Sequence, residues 1–417
     1  MPATDPVPPL DIDHVRAQFP AFAEPALGGQ AFFENAGGSY ACAPVIARLT
    51  RFYHARKVQP YGAYPASIAA GDEMDEARSR LAALMGVAPE TLSFGPSTTA
   101  NTYVLAQAFA EMLSPGDAVI VTDQDHEANS GPWRRLAARG IEIREWRMDP
   151  VTGHLDRTGL ERLLDNRVRL VAFPHCSNVV GEINPVADLC AQIRDAGARS
   201  CVDGVSYAPH GLPDLGALGV DIYLFSTYKT YGPHQGIMVM APDLAEDLPN
   251  QAHYFNAAAP WKRFTPAGPD HAQVAACAGI ADYIDALYAA HMPSDAPPAA
   301  RARAVHDMMR AHETALLEPL LDHLAGRNDL RLLGPRDADR RAPTVALVHR
   351  SRTGGDLARA LAAHGIMAGG GSFYADRALR ALGVDPSHGV LRLSFVHYTT
   401  PAELDRLRGA LDQVLES

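Results

Sequence analysis

The 417-residue chain is 47% hydrophobic and 20% charged, with a formal net charge of -11. That length supports two cores, because a single core stops growing at roughly 250 to 300 residues. Lys and Arg are scattered and no apolar run reaches bilayer length, so no nucleic acid and no membrane is expected as partner; a small molecule is.

The five cysteines, Cys42, Cys176, Cys190, Cys201 and Cys277, are odd in number, far apart, and form no CxxC pair. Such a set argues against a disulfide framework and against a zinc site, so no metal is expected. The opening MPATDPVPPLDIDHV has neither the basic nor the apolar region of a secretory leader, and a cytoplasmic location is the expectation.

In chain order, the first strong signals lie between Thr91 and Met240. TLSFG leads into a helix from Thr98, and AVIVTD into a helix from Asn129; IEIREW, VRLVAFP, RSCVD, DIYLFS and GIMVMA follow. Apolar runs separated by helical crossovers predict an α/β fold with a mostly parallel sheet and helices on both faces. Gly86, Gly140 and Gly197 fall where helices should end. A long helical stretch then runs from His271 to about Ala325. The strand PTVALVH, a helix near Gly355 to His364, the strand VLRLSFV and a last helix from Pro401 complete a smaller α+β unit. The predicted division is a large domain over residues 30–270 and a small domain formed by 1–29 and 271–417.

Ligands of open α/β sheets bind beyond the carboxyl ends of the strands. Lys229 lies a few residues past DIYLFS, where partial desolvation lowers an amine's pKa and prepares it to attack an aldehyde. Asp203 ends RSCVD, and an acid placed there needs a cationic partner, such as a pyridinium nitrogen. His126 follows AVIVTD, and its ring suits stacking on a cofactor. FGPSTTANT runs from strand to helix, so hydroxyls and free N–H groups at the helix start suit a phosphate. Singly, each has an ordinary explanation: a helix cap, a turn acid, a core imidazole. Their order and spacing together are far more specific.

From FFENAGGSYACAPV to VLRLSFVHYTTPAELDRL, the chain resembles the class V aminotransferase superfamily of fold-type I pyridoxal 5'-phosphate (PLP) enzymes, in its cysteine desulfurase and selenocysteine lyase branch. FGPSTTANT, DQDHEANSGPW, HCSNVVGEINPV, CVDGVSYAPHG and FSTYKTYGPHQGI carry the resemblance. It implies a seven-stranded, mostly parallel large-domain sheet, a smaller C-terminal domain, and a homodimer using Tyr61 to Ser67 and Phe264 to His271. It also implies roles. Lys229 would form the imine with the cofactor, Asp203 would hold the pyridine nitrogen, and His126 would stack on the ring. Thr98, Thr99 and Ser226 would bind the phosphate, and Asn178 would lie near the ring hydroxyl and the substrate. Arg392 would take the α-carboxylate, which a planar guanidinium can hold bidentately. Asn35, Ala36 and Gly37 resemble a substrate loop in which backbone approaches the ligand. His210, Tyr231 and His234 are close enough in sequence to support the site.

The pattern also departs from that branch. Ser206 and Tyr228 stand in the cofactor site where a glutamine and a histidine are usual, and Gly268 stands where relatives tend to carry a threonine. GIMAGGGSFYADRAL offers Ser372, Phe373 and Tyr374 where a loop cysteine is required, and no cysteine follows Cys277. Persulfide chemistry is therefore not expected. The leading expectation is a C–S or related β-eliminating lyase on a small amino acid, with Lys229 or Tyr374 as proton donor. An aminotransferase or epimerase is the alternative.

Overall fold

The structure is a computed structural model that describes residues 7–416. Twelve strands form within it: β1 (Ala31–Phe33), β2 (Leu92–Gly95), β3 (Ala118–Thr122), β4 (Glu142–Trp146), β5 (Val168–Pro174), β6 (Arg199–Asp203), β7 (Ile222–Ser226), β8 (Gly236–Met240), β9 (Leu330–Leu333), β10 (Thr344–His349), β11 (Ile366–Gly371) and β12 (Val390–Ser394). The central apolar runs become strands buried on both faces. In β5, Val171 and Phe173 enter one core while Leu170 and Ala172 enter another; Tyr223 and Phe225 part in the same way from Ile222 and Leu224 in β7. Side chains alternate along a strand, so a continuous apolar run is the pattern expected for a sheet covered on both sides.

The larger sheet has the order β2-β8-β7-β6-β5-β3-β4. Only β8 runs against the others. The smaller sheet has the order β1-β11-β12-β10-β9. Its core joins Val345, Leu347, Leu391 and Leu393 to leucines of the helices Pro298–Ala325 and Pro401–Glu416. Gly86, Gly140 and Gly197 all adopt positive φ, as helix-ending glycines do.

Several boundaries differ from the sequence expectation. β1, inside the predicted 30–270 domain, pairs in parallel with β11 and so belongs to the smaller sheet. Three residues are too few to show a strand period. The helical stretch predicted from His271 is three helices, His271–Ala276, Ala278–His291 and Pro298–Ala325, with Pro293 and Pro297 in the second break. The first two share a core with the helices Ala43–Ala55 and Pro65–Leu84, on the large-sheet side of the molecule. The helix predicted from Asn129 reduces to two 3-10 turns and the single α turn Gly131–Arg134, with Pro132 in its first turn. The strands β9 and β11 had no sequence signal; β11 is glycine-rich and lacks the usual strand formers. Among the described residues, no helix is long and apolar enough to cross a membrane.

Candidate active site

The carboxyl ends of β2, β3, β5, β6 and β7 share one edge of the larger sheet, and a cavity of about 290 Å³ opens there. Its lining includes Thr98, Thr99, His126, Asn178, Asp203, Ser206, Ser226, Tyr228 and Lys229, every cofactor residue named from the sequence. Cys176 and His234 join them.

Lys229 ends the 3-10 turn Thr227–Lys229 directly after β7 and is 8% exposed. Ser39 fixes that turn from the N-terminal segment: its hydroxyl donates to the Lys229 carbonyl at 2.6 Å and its N–H to the Tyr228 carbonyl at 3.0 Å. Burial, and then the Arg392 charge, lower the Lys229 pKa to about 8, against the opposing pull of Asp203 and Glu34. Tyr228 lies under the amine, with Nζ 5.9 Å from its ring centre, and stacks on His234 at 4.8 Å.

Asp203 closes β6 and is 5% exposed, and its carboxylate takes one hydrogen bond among the described residues, from the Val205 N–H at 2.8 Å. Burial raises its pKa to about 6, while the Val205 hydrogen bond and Lys229 pull the other way. A buried carboxylate with so little compensation suits a cationic partner, and a protonated pyridine nitrogen meets that need.

His126 caps a short turn after β3, its Nδ1 accepting the Ala128 N–H at 3.0 Å, so the remaining proton is assigned to Nε2. Burial, then Lys229 and Arg392, lower its pKa to about 4. The ring is therefore neutral near pH 7, a face suited to covering an aromatic cofactor.

The anion end of the cavity is built on the helix Thr98–Met112. Ser97 caps it by accepting the Ala100 N–H at 3.1 Å, which leaves the Thr98 and Thr99 N–H groups outside the helix's own bonds. Thr98 and Ser226 hydroxyls meet at 2.7 Å, joining this helix start to the end of β7. A Cβ at Gly236 would come within 2.4 Å of the Ser97 backbone, so glycine there lets the turn pass close to the strand. Free N–H groups, hydroxyls and a helix N-terminus together fit a phosphate. A buried amine, a sparsely compensated buried carboxylate, a neutral imidazole and a helix start with free N–H groups occur in one cavity, and these residues fit PLP.

The smaller sheet brings the charges of Arg392 and Glu34 close enough to act on Lys229. Arg392, on β12 and 3% exposed, donates to Glu34 Oε1 at 2.6 Å and to the Asn178 carbonyl at 3.3 Å. Phe373 lies over its guanidinium at 3.7 Å. Asn178 donates from Nδ2 to the Phe373 carbonyl at 3.0 Å, and its buried Oδ1 has no partner among the described residues. Glu34 lies inside the FFENAGGS motif but was not singled out from the sequence, and Phe373 was noted there only as standing in place of the loop cysteine.

The segment Asn35 to Gly37 is held by hydrogen bonds within the protein. The Asn35 side chain is engaged within the protein, accepting from the Tyr398 hydroxyl and donating to the Ser394 carbonyl at 3.3 Å. It ties β1 to β12, and no side-chain group remains free to meet a substrate. The Ala36 N–H likewise goes to Ser394 Oγ at 2.9 Å, and the Gly37 N–H to the Glu34 carbonyl at 2.9 Å. Tyr374 is 76% exposed at the rim, its ring 5.5 Å from that of His126. Of the predicted supporting residues, His210 pairs with buried Glu313 at 2.9 Å, and Tyr231 donates to the Pro209 carbonyl.

All five cysteines are unpaired and buried. Cys176 reaches the cavity, but burial pushes its thiol up to about 12, so it is a thiol and not a thiolate at neutral pH.

Comparison with known proteins places the chain in a family. The aminotransferase class-V family profile matches residues 31–259 and 302–407. An aminotransferase-like protein, FGM3, of Gibberella zeae is 32% identical over 97% of this chain and 99% of its own. A cysteine desulfurase of Serratia proteamaculans is 30% identical over 97% and 98% respectively. The solved cysteine desulfurase CsdA of Escherichia coli superposes with a TM-score of 0.82 at 25% identity, covering 97% of this chain and 98% of that one. The fold is also that of the apo cysteine desulfurase of Thermococcus onnurineus NA1, at a TM-score of 0.85 and 22% identity over 98% of both chains. The fold, the cavity and these relatives lead to one assignment: the chain belongs to the class-V aminotransferase family of PLP-dependent enzymes.

Proposed function

We propose that this enzyme is a lyase that cleaves a carbon–sulfur or related bond at the β-carbon of a small amino acid. The observation that carries the reading is a buried amine, Lys229, poised near pH 8 in a cavity that presents no thiolate. Bound PLP supplies an aldehyde that links covalently to the substrate nitrogen and a ring that draws electrons away from Cα.

The chain's own residues do the rest. Asp203 holds a positive charge at the ring nitrogen, and His126 covers the ring face. Arg392 and Asn178 orient the carboxylate so that the Cα–H bond faces Lys229. Lys229 Nζ takes the Cα proton, the β-substituent leaves with its bonding electron pair, and the lysine returns a proton to it. A base with a pKa near working pH suits both transfers. The loop that would carry a sulfur-accepting cysteine carries Ser372, Phe373 and Tyr374, so sulfur would leave as a free thiol or related product. The cysteine desulfurases among the relatives support C–S chemistry.

Pyruvate release from cysteine conjugates and cysteine sulfoxides is the expected result. Silence across that panel, together with turnover of a keto acid and conversion of the cofactor to its pyridoxamine form, would favour the aminotransferase reading instead. A homodimer in the cytoplasm is the proposed working form, and a gel-filtration profile showing monomer alone would contradict the dimer.

A further inference from the structure

The cation expected to anchor a substrate carboxylate is already engaged. Arg392 Nη2 donates to Glu34 Oε1 at 2.6 Å, and the Phe373 ring covers its face. Three strands build this contact. Glu34 follows β1 and bridges to Ser394, two residues beyond Arg392 on β12. Gly369 of β11 stands opposite Arg392 in the antiparallel register, so the two positions are cross-strand neighbours. A Cβ at Gly369 would come within 2.3 Å of Glu34 Oε2, and one at Gly37 within 2.9 Å of Oε1. The two glycines leave the space that the carboxylate fills. Glu34 Oε2 and Arg392 Nε are buried without hydrogen-bond partners among the described residues, so a single hydrogen bond joins the pair.

We propose that Glu34 is a specificity-determining residue whose carboxylate takes the position on Arg392 that a substrate α-carboxylate must claim. The inference rests on the reading of Arg392 as the carboxylate anchor. Before substrate arrives, Glu34 balances a guanidinium that burial would otherwise make costly. A substrate carboxylate then binds only by displacing one anion from the cation, which weakens its apparent affinity. An amine without a carboxylate meets no such competitor. Discrimination between acids and amines is thus a difference between two affinities, set inside the protein by Glu34.

The test compares PLP-loaded wild-type and Glu34→Gln proteins, titrated with L-alanine and with ethylamine while the cofactor's visible absorption is followed. L-alanine is expected to bind about ten-fold tighter to the variant, the scale of one charge-assisted hydrogen bond released, with ethylamine unchanged. An unchanged or weaker L-alanine affinity, or an equal shift for both ligands, overturns the proposal. Should Glu34→Gln fail to fold, Glu34→Asp decides the same question, since it withdraws the carboxylate by one methylene; part of the gain supports the proposal and no gain overturns it. A wild-type spectrum that answers to neither ligand contradicts the proposed function instead. Maleate binding to cofactor-free protein, followed by calorimetry, then tests the pair alone: tighter binding to the variant supports it, and equal or weaker binding overturns it.

Discussion

Lys229→Ala protein is expected to lose turnover by about 10³-fold or more, because the proposed mechanism makes one side chain cofactor anchor, base and acid. The loss should exceed that of any other single substitution in the cavity. Lys229 makes no hydrogen bond through its amine among the described residues, so truncation leaves no orphaned partner and the fold should persist, as circular dichroism would show. The pH dependence of cofactor capture has a definite sign. With the amine pKa lowered to about 8, only the deprotonated form attacks an aldehyde. The rate at which cofactor-free protein develops visible absorption on adding PLP should rise with pH below about 8 and level off above it. A rate that is flat or falling over that range would show that another group controls capture.

Asp203→Asn is expected to lower turnover by about 10²-fold, since a neutral amide keeps the shape but cannot hold the ring nitrogen's charge. The same change should stabilise the cofactor-free fold at neutral pH. Burial raises the Asp203 pKa to about 6, above its value of 3.8 in an unfolded chain. The folded state therefore binds the extra proton between those values, and stability is lost as pH rises from about 4 through 6. Cofactor-free Asp203→Asn protein should melt higher than wild type at pH 8, with the gap closing toward pH 4. A variant that keeps wild-type turnover would remove Asp203 from the electrostatic role given to it.

The central sheet and most of the cofactor cavity were legible because continuous apolar runs announce strands covered on both faces, and the residues just past them share one sheet edge. Lys229, Asp203, His126 and Thr98 each follow such a run and all line the cavity. The contacts around Arg392 were less legible. Glu34 and Arg392 are 358 positions apart, and neither residue type announces its partner. Nor did the sequence announce that Tyr398 and Ser394 would hold the Asn35 side chain. The glycine-rich β11 escaped notice because its pairing with β1 and β12, not local propensity, makes it a strand.

The sequence contains three lysines, Lys57, Lys229 and Lys262, and of these only Lys229 is buried. Borohydride reduction of the PLP-loaded protein, followed by peptide mass mapping, therefore tests the account directly. A reduced pyridoxyl adduct on Lys229, absent from Lys57 and Lys262, is the predicted result. Colourless protein that takes up no PLP, or an adduct confined to either surface lysine, would contradict it.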